Sequence, residues 1–349
     1  MTLNHKPEET PVAIIGAGLT GLCLAHRLIA KGITPLLADK GRYPGGRMAA
    51  RAVGQAGLVN TGPRFFMTLA SVDEPDFLPG WHERHVSLIA MTDVNTIPAD
   101  LTGYLPGFEV YESGGSIREL SLALAQGLEI QQQTKLVAIE QQAAGWKLRL
   151  EATGSGEIFE RFARAAVLTM PAPQIAEVLT VSGLTRLLPA DLTTNIAYER
   201  SLVGLFEVEM AGKVAMQERL IANPDNDIRR IIIKAHKHDS MTVYIESTSA
   251  FAENQQATAP DQVLSLFQAK IRQHVPDIEV KNGQFHRWNF ARIRPDCRAF
   301  TGPVVASGQP PLIFAGEGFG VTENVPAGLV SAQRSAMLAA QIITDMFLR

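Results

Sequence analysis

The sequence predicts an α/β protein that contains a parallel sheet, and two segments at opposite ends of the chain carry that prediction. Near the start, the apolar run Val12–Ile15 is typical of a buried parallel strand. It leads into the glycine-rich stretch Gly16–Gly21, then into apolar residues at helical spacing, and then into a second apolar run, Ile33–Ala38. Near the end, Leu312–Ala315 is another short apolar run, and a helical pattern follows it from Pro326. A strand, a helix and a strand in this order are typical of a βαβ unit.

Length and composition limit the class of protein. The chain has 349 residues, of which 46% are hydrophobic, and this suggests one large domain or two closely connected ones. The net charge is −3 and there is no basic run, so nothing points to nucleic acid. The polar N-terminus carries no signal peptide, and no run reaches the roughly 18 apolar residues of a membrane span. We expect a cytoplasmic protein that binds no membrane.

The cysteines and histidines give no sign of a metal site. Cys23 and Cys297 are far apart and lack metal-ligand spacing, so we expect free thiols in a reducing compartment. His236 and His238 alternate along a predicted strand, but no further ligands lie near them in the sequence. We expect no bound metal.

The stretch Gly16–Gly21 has the G-x-G-x-x-G spacing of a dinucleotide-binding turn. Gly16 permits the tight turn, Gly18 lets the backbone approach a pyrophosphate, and Gly21 lets the helix pack on the strand. The helix N-terminus then offers N–H groups to the phosphates. Asp39 ends the second strand, where an acid can bind a ribose. The residues predicted to hold the dinucleotide are Gly16, Gly18, Leu19, Thr20, Gly21, Asp39 and Lys40, and the pattern alone does not separate FAD from NAD.

The next segment, Gly41–Arg51, combines glycines with arginines. Gly45 and Gly46 can adopt positive φ and expose backbone N–H groups, and Arg47 can place its guanidinium on a phosphate. Arg42 lies beside the ribose-binding acid, and Arg51 either points to the phosphates or is solvated. A GG-R element soon after the glycine turn resembles the two-dinucleotide-binding flavoproteins. That resemblance implies FAD, bound without a covalent link, rather than NAD.

The C-terminal strand, loop and helix resemble the second FAD motif of the amine-oxidase and hydroxylase branches of flavoproteins. The resemblance implies that Glu317 binds the ribityl chain and that the following helix directs its N-terminus at the flavin. It also implies that the adenine packs near Val137. The cofactor residues predicted from these segments are Val137, Gly316, Glu317, Val325 and Gly328.

The FAD domain is therefore predicted to be discontinuous. A Rossmann-like FAD domain of the hydroxylase and amine-oxidase type takes 10–68, 104–180 and 295–349. A substrate domain, with a mixed β-sheet and helices, takes 69–103 and 181–294. In that domain "SLVGLFEVEM", "IRRIIIKAHK", "MTVYIES" and "VKNGQFHRWNFARIRP" are typical of strands, and "DQVLSLFQAKIRQHV" is typical of a helix.

Four stretches together resemble one family, the renalase-like FAD oxidoreductases of the amine-oxidase superfamily. They are "GGRMAAR", "VNTGPRFF", "HRWNFARIRP" and "GEGFG". The resemblance implies oxidation of aberrant dihydro isomers of NAD(P) by hydride transfer to the flavin. Two electrons then pass to O2, which gives hydrogen peroxide.

Residues on two segments are predicted to lie near the flavin ring and the substrate. From the first segment these are Gly62, Arg64 and Phe65, and Arg64 contacts a substrate anion or the flavin, or forms a surface salt bridge. On the last long strand, His286, Trp288 and Phe290 alternate and share a face. They form either an aromatic pocket wall or part of the core, with His286 as proton acceptor or structural residue. Arg292 and Arg294 either meet a substrate phosphate or are solvated.

Three other functions remain open. A flavin amine oxidase requires an aromatic cage and usually a lysine linked through water to the flavin, for which Lys234 is the central candidate. An FAD dehydrogenase or desaturase of a hydrophobic small molecule requires a long apolar tunnel. A non-enzymatic flavin-binding protein requires a blocked pocket. The expected partners are O2 and a small substrate, either a dihydronicotinamide nucleotide or an amine, and the expected state is a monomer or homodimer.

Overall fold

The structure is a computed structural model, and it describes residues 9–63, 65–69, 88–90, 108–113, 116–210, 219–235, 241–323 and 325–348. The helices within these residues are α1 (Leu19–Ile29), α2 (Ile117–Ala125), α3 (Ala172–Val181), α4 (Leu192–Asn195), α5 (Ser249–Asn254), α6 (Pro260–His274) and α7 (Leu329–Phe347). The strands are β1 (Glu9–Ile15), β2 (Leu36–Ala38), β3 (Ala50–Ala52), β4 (Leu58–Asn60), β5 (Phe65–Leu69), β6 (Leu88–Ala90), β7 (Phe108–Ser113), β8 (Ile130–Gln131), β9 (Thr134–Gln141), β10 (Trp146–Ala152), β11 (Ile158–Leu168), β12 (Tyr198–Met210), β13 (Arg219–Ala222), β14 (Ile228–Ala235), β15 (Met241–Ser247), β16 (Ile278–Ile293), β17 (Val304–Val305) and β18 (Leu312–Phe314).

The first sheet is largely parallel and brings the two ends of the chain together. Its strand order is β17-β18-β11-β1-β2-β8, and β10 and β9 extend it from β11 as an antiparallel hairpin. β1 runs parallel to both β2 and β11, and β18 runs parallel to β11. The carboxyl ends of β1, β2 and β18 therefore open at one edge of the sheet, where α/β proteins bind their ligands.

Helices cover the first sheet on both faces. On one face α1 packs against α7, with Leu22 and Leu28 against the small residues Ala336 and Ala339 in one buried cluster. On the other face, α3 and the β9–β10 hairpin bury a second cluster around Trp146. Because both faces are covered, the strands are continuous apolar runs, as predicted.

A second, antiparallel sheet has the order β13-β14-β15-β12-β16. Helix α6 covers its outer face with Val263, Phe267 and Ile271, which bury against Ile231 and Val243 of the sheet. Side chains alternate along a strand, so the residues between these apolar positions face the other way. This other face of the second sheet lies toward the first sheet, and we call it the inner face below.

The pairing of β12 with β16 is irregular where β16 approaches the first sheet. Ser201 pairs with Trp288 and Glu199 pairs with Arg292, so β16 has two more residues than β12 between these pairs. A bulge of this kind bends the strand and redirects its side chains. The predicted alternation of His286, Trp288 and Phe290 therefore holds only up to Trp288.

Two small sheets complete the described structure, β3-β4 and β5-β7-β6. Most of the predicted substrate-domain segment 69–103 lies outside the described residues, and the division of the chain into the predicted domains stays a prediction. None of the described helices combines the length and apolarity needed to cross a bilayer.

Candidate active site

A cavity of about 1420 Å³ lies between the two sheets. One wall is formed by the turns that follow β1, β2 and β18, and the opposite wall is formed by β14, β15 and β16. Pockets for a drug-sized ligand measure about 300–1,000 Å³. The cavity is therefore large enough to take a dinucleotide together with a second, smaller molecule.

Most of the predicted cofactor residues line this cavity. They are Gly16, Gly18, Leu19, Thr20, Asp39, Lys40, Gly45, Gly46, Arg47, Gly62, Val137, Gly316, Glu317 and Gly328. These residues come from the start, the middle and the end of the chain, and the first sheet brings them to one edge.

The N-terminus of α1 is open toward the cavity. Gly18 is its N-cap, no side chain caps it, and there is no acid in its first turn. A Cβ on Gly18 would meet no atom within 4 Å, so the backbone is free to approach a ligand. The uncapped N–H groups and the helix dipole form a site for an anion such as a phosphate.

Gly21 does not line the cavity but lets the helix pack close to the turn. A Cβ there would lie 1.9 Å from the backbone oxygen of Gly16. Asp39 fixes the turn from the other side, because its two carboxylate oxygens accept hydrogen bonds from Ala17 N and Gly41 N, each at 2.6 Å. The acid therefore shapes the loop that borders the ribose position, and its predicted contact with a ribose stays a prediction.

The GG-R element lies directly on the glycine turn. Gly45 and Gly46 have φ values of 112° and 55°, as their predicted positive φ requires. Gly45 N donates to Ala17 O at 2.7 Å, and Gly45 forms an isolated bridge with Gly18. The two glycine-rich segments thus form one continuous wall of exposed backbone.

Arg47 forms an ion pair with Glu317, the acid of the C-terminal motif. Its guanidinium also lies 5.9 Å from the centroid of the Tyr198 ring. Burial lowers the pKa of Arg47, but the charge of Glu317 outweighs this effect and holds the pKa above its usual value. The buried Glu317 thus has a cation as its partner, and the contact of Arg47 with a phosphate stays a prediction.

Three predicted residues do not line the cavity, and the roles predicted for them stay predictions. Arg42 is exposed and lies 5.5 Å from the centroid of the Tyr43 ring. Val325 is buried, in a turn with Thr322. His286 hydrogen-bonds Arg51 Nη2 through Nδ1 at 2.9 Å.

The Arg51–His286 pair lies behind the cavity wall. Arg51 also donates to Phe285 O at 3.1 Å, so it neither points to a phosphate nor is simply solvated. Burial, followed by the charge of Arg51, lowers the pKa of His286 to about 4. His286 is thus a neutral structural residue at neutral pH, and its ring packs edge-on to Trp288 at 4.2 Å.

Trp288 and Phe290 line the cavity together with the rest of the bulged segment up to Ile293. Trp288 Nε1 donates to Thr61 O at 2.8 Å, which fixes the indole against the first wall. Phe290 packs edge-on to Tyr198 at 5.4 Å. The aromatic wall predicted from the sequence is formed by these two residues, and His286 supports it from behind.

Two predicted residues cannot be placed in this cavity. Arg64 lies outside the described residues, and of Phe65 only the backbone, in β5, is described. Gly62 is placed, and a Cβ there would lie 1.8 Å from Arg47 O, so the chain passes directly against the GG-R element. The roles predicted for Arg64 and Phe65 stay predictions.

A charged cluster on the inner face was not predicted from the sequence, although Lys234 was a candidate. Arg230 and Lys234 of β14, and Tyr244 and Glu246 of β15, line the cavity. The signal was present, because polar residues alternate with isoleucine and valine in "IRRIIIKA" and "MTVYIES". Alternation alone is typical of any two-faced strand, and only the pairing of the strands shows that this polar face is covered.

Glu246 is at the centre of this cluster and is only 5% exposed. Its carboxylate forms ion pairs with Arg230 Nε, at 2.8 Å, and with Arg292 Nη2. It also accepts hydrogen bonds from Tyr244 Oη at 3.1 Å and Ser201 Oγ at 3.3 Å. Burial raises the pKa of Glu246, but the charges of the neighbouring arginines outweigh it and hold the pKa below its usual value.

Arg292 and Arg294, both predicted either to meet a substrate phosphate or to be solvated, have different positions. Arg292 lines the cavity, whereas Arg294 is exposed and pairs with Asp296 at 2.7 Å. The bulge in β16 explains the difference, because it brings Arg292 to the inner face while β16 itself ends at Ile293.

Comparison with protein families shows to which class of proteins the chain belongs. Residues 14–75 match the NAD(P)-binding Rossmann-like domain, and residues 84–344 match the model of flavin containing amine oxidoreductases. The second match covers more than half of the chain. The chain belongs to the flavin containing amine oxidoreductase family. It is therefore a flavin-dependent oxidoreductase with FAD as its cofactor.

Solved structures show the same fold. A putrescine oxidase mutant from a redesign of cofactor binding has a TM-score of 0.67 and 11% identity, over 97% of this chain and 99% of that chain. The wild-type putrescine oxidase bound to putrescine has a TM-score of 0.64 and 10% identity, over 98% of this chain and 100% of that chain. No curated protein sequence matches this chain.

The residues of the cavity fit FAD. The uncapped N-terminus of α1 and the exposed backbone at Gly18 suit the pyrophosphate, and Asp39 borders the ribose position. At the other end, Gly328 is the N-cap of α7 and also lines the cavity, so α7 directs its N-terminus there. The predicted residues that use backbone groups thus border the same cavity.

Proposed function

We propose that the protein oxidises dihydro isomers of NAD(P), with O2 as the electron acceptor. The chemistry that FAD supplies when bound is acceptance of a hydride from the donor carbon and transfer of two electrons to O2, which gives hydrogen peroxide. The residues of the chain have to hold the donor flat, keep water out and stabilise its charge. The inner face of the second sheet is the part of the described structure that can do so.

The charge of the inner face is the observation that carries this proposal. Its charged residues along the cavity, within the described chain, are Arg230, Lys234, Arg292 and Glu246. Three of these four side chains are cationic, a composition that favours an anionic nucleotide over a protonated amine. Glu246 is a weak proton acceptor, because four donors hold it as an ion. Hydride transfer from a dihydronicotinamide does not require one.

Trp288 and Phe290 support the same substrate. Their rings form the apolar part of the inner wall, and Trp288 is fixed by its hydrogen bond to Thr61 O. A fixed aromatic surface can stack on a flat heterocycle and orient its donor carbon.

We also propose that FAD is bound without a covalent link. Neither a thiol nor an imidazole lines the cavity among the residues that the structure describes. Cys23 lies on α1 and is buried in the core, and Cys297 contacts Ala197 and Thr194 and does not line the cavity.

Oxidation of an amine is the second candidate function. It is supported by the family to which the chain belongs and by Lys234, which lines the cavity on β14. An amine that also carries an acidic group would suit the positive wall. Putrescine, which carries two amines and no acid, would be repelled by it.

Anaerobic stopped-flow mixing separates the two functions. The purified holoenzyme is mixed with dihydro isomers of NAD(P), with putrescine, or with an amino acid, and the loss of oxidised-flavin absorbance is followed. We expect rapid reduction by a dihydronicotinamide isomer, and hydrogen peroxide in equal amount after O2 is admitted. Reduction by an amine alone would replace the first function with the second, and reduction by none of these donors would contradict both.

A further inference from the structure

The antiparallel strands β3 and β4, with the turn between them, form a hairpin that follows directly after the GG-R element. We call it the β3–β4 hairpin. Thr61, which follows β4, hydrogen-bonds back to Ala49 O through its N at 2.8 Å and its Oγ1 at 3.1 Å. The hairpin is therefore closed at its base, beside Arg47. Both Arg47 and Thr61 line the cavity on the cofactor side.

The β3–β4 hairpin also packs on the second sheet. Gln284 Nε2 of β16 donates a hydrogen bond to Ala52 O of the hairpin. Val53 is only 2% exposed and is buried against β12 in a small apolar cluster, and Trp288 packs against that cluster. The hairpin thus joins β16, which carries the substrate wall, to the GG-R element, which carries the cofactor wall.

Trp288 is held on two sides by residues that this hairpin fixes. On one side, its Nε1 donates to Thr61 O at 2.8 Å. On the other side, the His286 ring packs edge-on to the indole, and His286 Nδ1 accepts a hydrogen bond from Arg51 Nη2 of β3 at 2.9 Å. One hydrogen bond fixes only one atom of the indole, and the contact with a second ring restricts the tilt of its plane.

We propose that Arg51 and His286 are positioning residues, which hold the Trp288 indole in the cavity wall and thereby set the place of the donor against the flavin. They act through Trp288, because neither of them lines the cavity. A misplacement of about 1 Å by a change outside the reacting centre can lower a rate roughly 100-fold. The inference rests on the proposed function for the identity of the donor, but the position of the indole does not.

Fluorine NMR of the holoenzyme measures the position of the indole without any donor. The chain has three tryptophans, so labelling with 5-fluorotryptophan gives three resonances, and Trp288→Phe and Trp146→Phe assign two of them. We expect His286→Ala to shift and broaden the Trp288 resonance, because the indole then has only its hydrogen bond to Thr61. The resonance of Trp146, which is buried in a different cluster, should stay unchanged.

Anaerobic flavin reduction measures the effect on the reaction. We expect His286→Ala to lower the limiting rate of reduction at least about tenfold, with little change in the Kd of the donor. Arg51→Gln should act in the same way to a smaller degree, and Arg51→Lys, which keeps the charge, should fall between Arg51→Gln and the wild type. The matched control is Arg149→Gln, an exposed arginine of β10, which should change neither the Trp288 resonance nor the rate.

The two measurements together decide the proposal. An unchanged Trp288 resonance in both His286→Ala and Arg51→Gln would overturn it, and so would a shifted resonance with an unchanged rate of reduction. If His286→Ala does not fold, Arg51→Gln at the exposed end of the pair carries the same comparison. A wild-type enzyme that no dihydronicotinamide reduces, with a Trp288 resonance that shifts in the variants but not in Arg149→Gln, would refute the proposed function and leave the positioning of the indole standing.

Discussion

Two charged clusters on opposite faces of the five-stranded sheet have similar components and different surroundings. On the inner face, Glu246 is paired with Arg230 and Arg292. On the outer side, Asp225 is paired with Lys270 at 3.0 Å and His274 at 2.8 Å. Each cluster is thus a carboxylate held between two basic side chains.

The outer cluster is completed by the chain itself. Asp225 Oδ1 also accepts hydrogen bonds from Asp227 N and Ile228 N, and Lys270 pairs with Asp227 as well. These contacts tie the β13–β14 loop to α6. The inner cluster instead lines a large cavity. The difference teaches that similar charged clusters can join elements of a fold or face a binding cavity, depending on what surrounds them.

The largest expected effect follows from neutralising the inner carboxylate. Glu246→Gln leaves two largely buried arginines without their anion, so we expect the free energy of unfolding to fall by about 3 kcal/mol. Phosphate should then replace the missing charge and restore about 2–3 kcal/mol at roughly 100 times its Kd. Denaturant unfolding of the holoenzyme with and without phosphate measures both changes.

The variant Asp225→Asn in the outer cluster is the control for the stabilisation of Glu246→Gln by phosphate. Asp225→Asn removes a carboxylate of the same kind, but Asp225 does not line the cavity between the sheets, so phosphate should stabilise this variant only as much as it stabilises the wild type. Equal rescue of the two variants by phosphate would show a general salt effect and would remove the distinction between the clusters.

The pH dependence of stability should identify the outer cluster as structural. Burial raises the pKa of Asp225, but hydrogen bonds from His274 and Lys270 outweigh it and lower the pKa from 3.8 to about 2. A lowered pKa stabilises the fold above pH 3.8, and this contribution disappears as the pH falls through about 2.

Asp225→Asn should therefore be less stable than the wild type by about 1.5 kcal/mol at neutral pH. Unfolding curves recorded from neutral pH downward should converge as Asp225 becomes protonated. Flavin reduction by the preferred donor should be unchanged throughout the range where both proteins are folded. A gap in stability that stays constant down to about pH 2 would contradict the role of the Asp225 charge.

The smallest expected effect is that of replacing Arg229, which lies at the edge of the inner cluster. Arg229 is 3.8 Å from Glu199 and does not line the cavity, so Arg229→Gln should cost less than about 1 kcal/mol of stability. Its effect on kcat/KM for an anionic donor should be well below that of Arg292→Gln, because Arg292 lines the cavity. A loss as large as that of Arg292→Gln would extend the substrate wall to Arg229.

The cofactor side of the cavity could be predicted from sequence because it uses backbone groups in short, local motifs. Gly16–Gly21 and Gly45–Gly46 each shape a turn within a few residues, and their spacing specifies the geometry. The parallel strands between them are apolar runs that the sequence displays directly. The fold class followed from these features and FAD followed from the resemblance of the GG-R element to flavoproteins, and both predictions are confirmed by the family match.

The substrate side could not be predicted to the same depth, because it is built by side chains from strands that are distant in sequence. Arg230, Glu246 and Arg292 meet only through the pairing of β14, β15, β12 and β16, and no single segment displays all three. The bulge in β16 affects the side chains after Trp288, and the cavity lining includes Phe290 and Arg292 but not His286. Arg42 is exposed, since proximity to Asp39 in sequence does not fix the direction of a long side chain.

A pair of donors that differ only in one phosphate tests the account most directly. Dihydronicotinamide mononucleotide and dihydronicotinamide riboside are each mixed anaerobically with the holoenzyme, and kcat/KM is obtained from flavin reduction. We expect the phosphorylated donor to be favoured at least about tenfold in the wild type and in Asp225→Asn, and this preference to be lost in Arg292→Gln. Equal kcat/KM values for the two donors in the wild type, or a preference that survives Arg292→Gln, would contradict selection of anionic donors by the inner cluster.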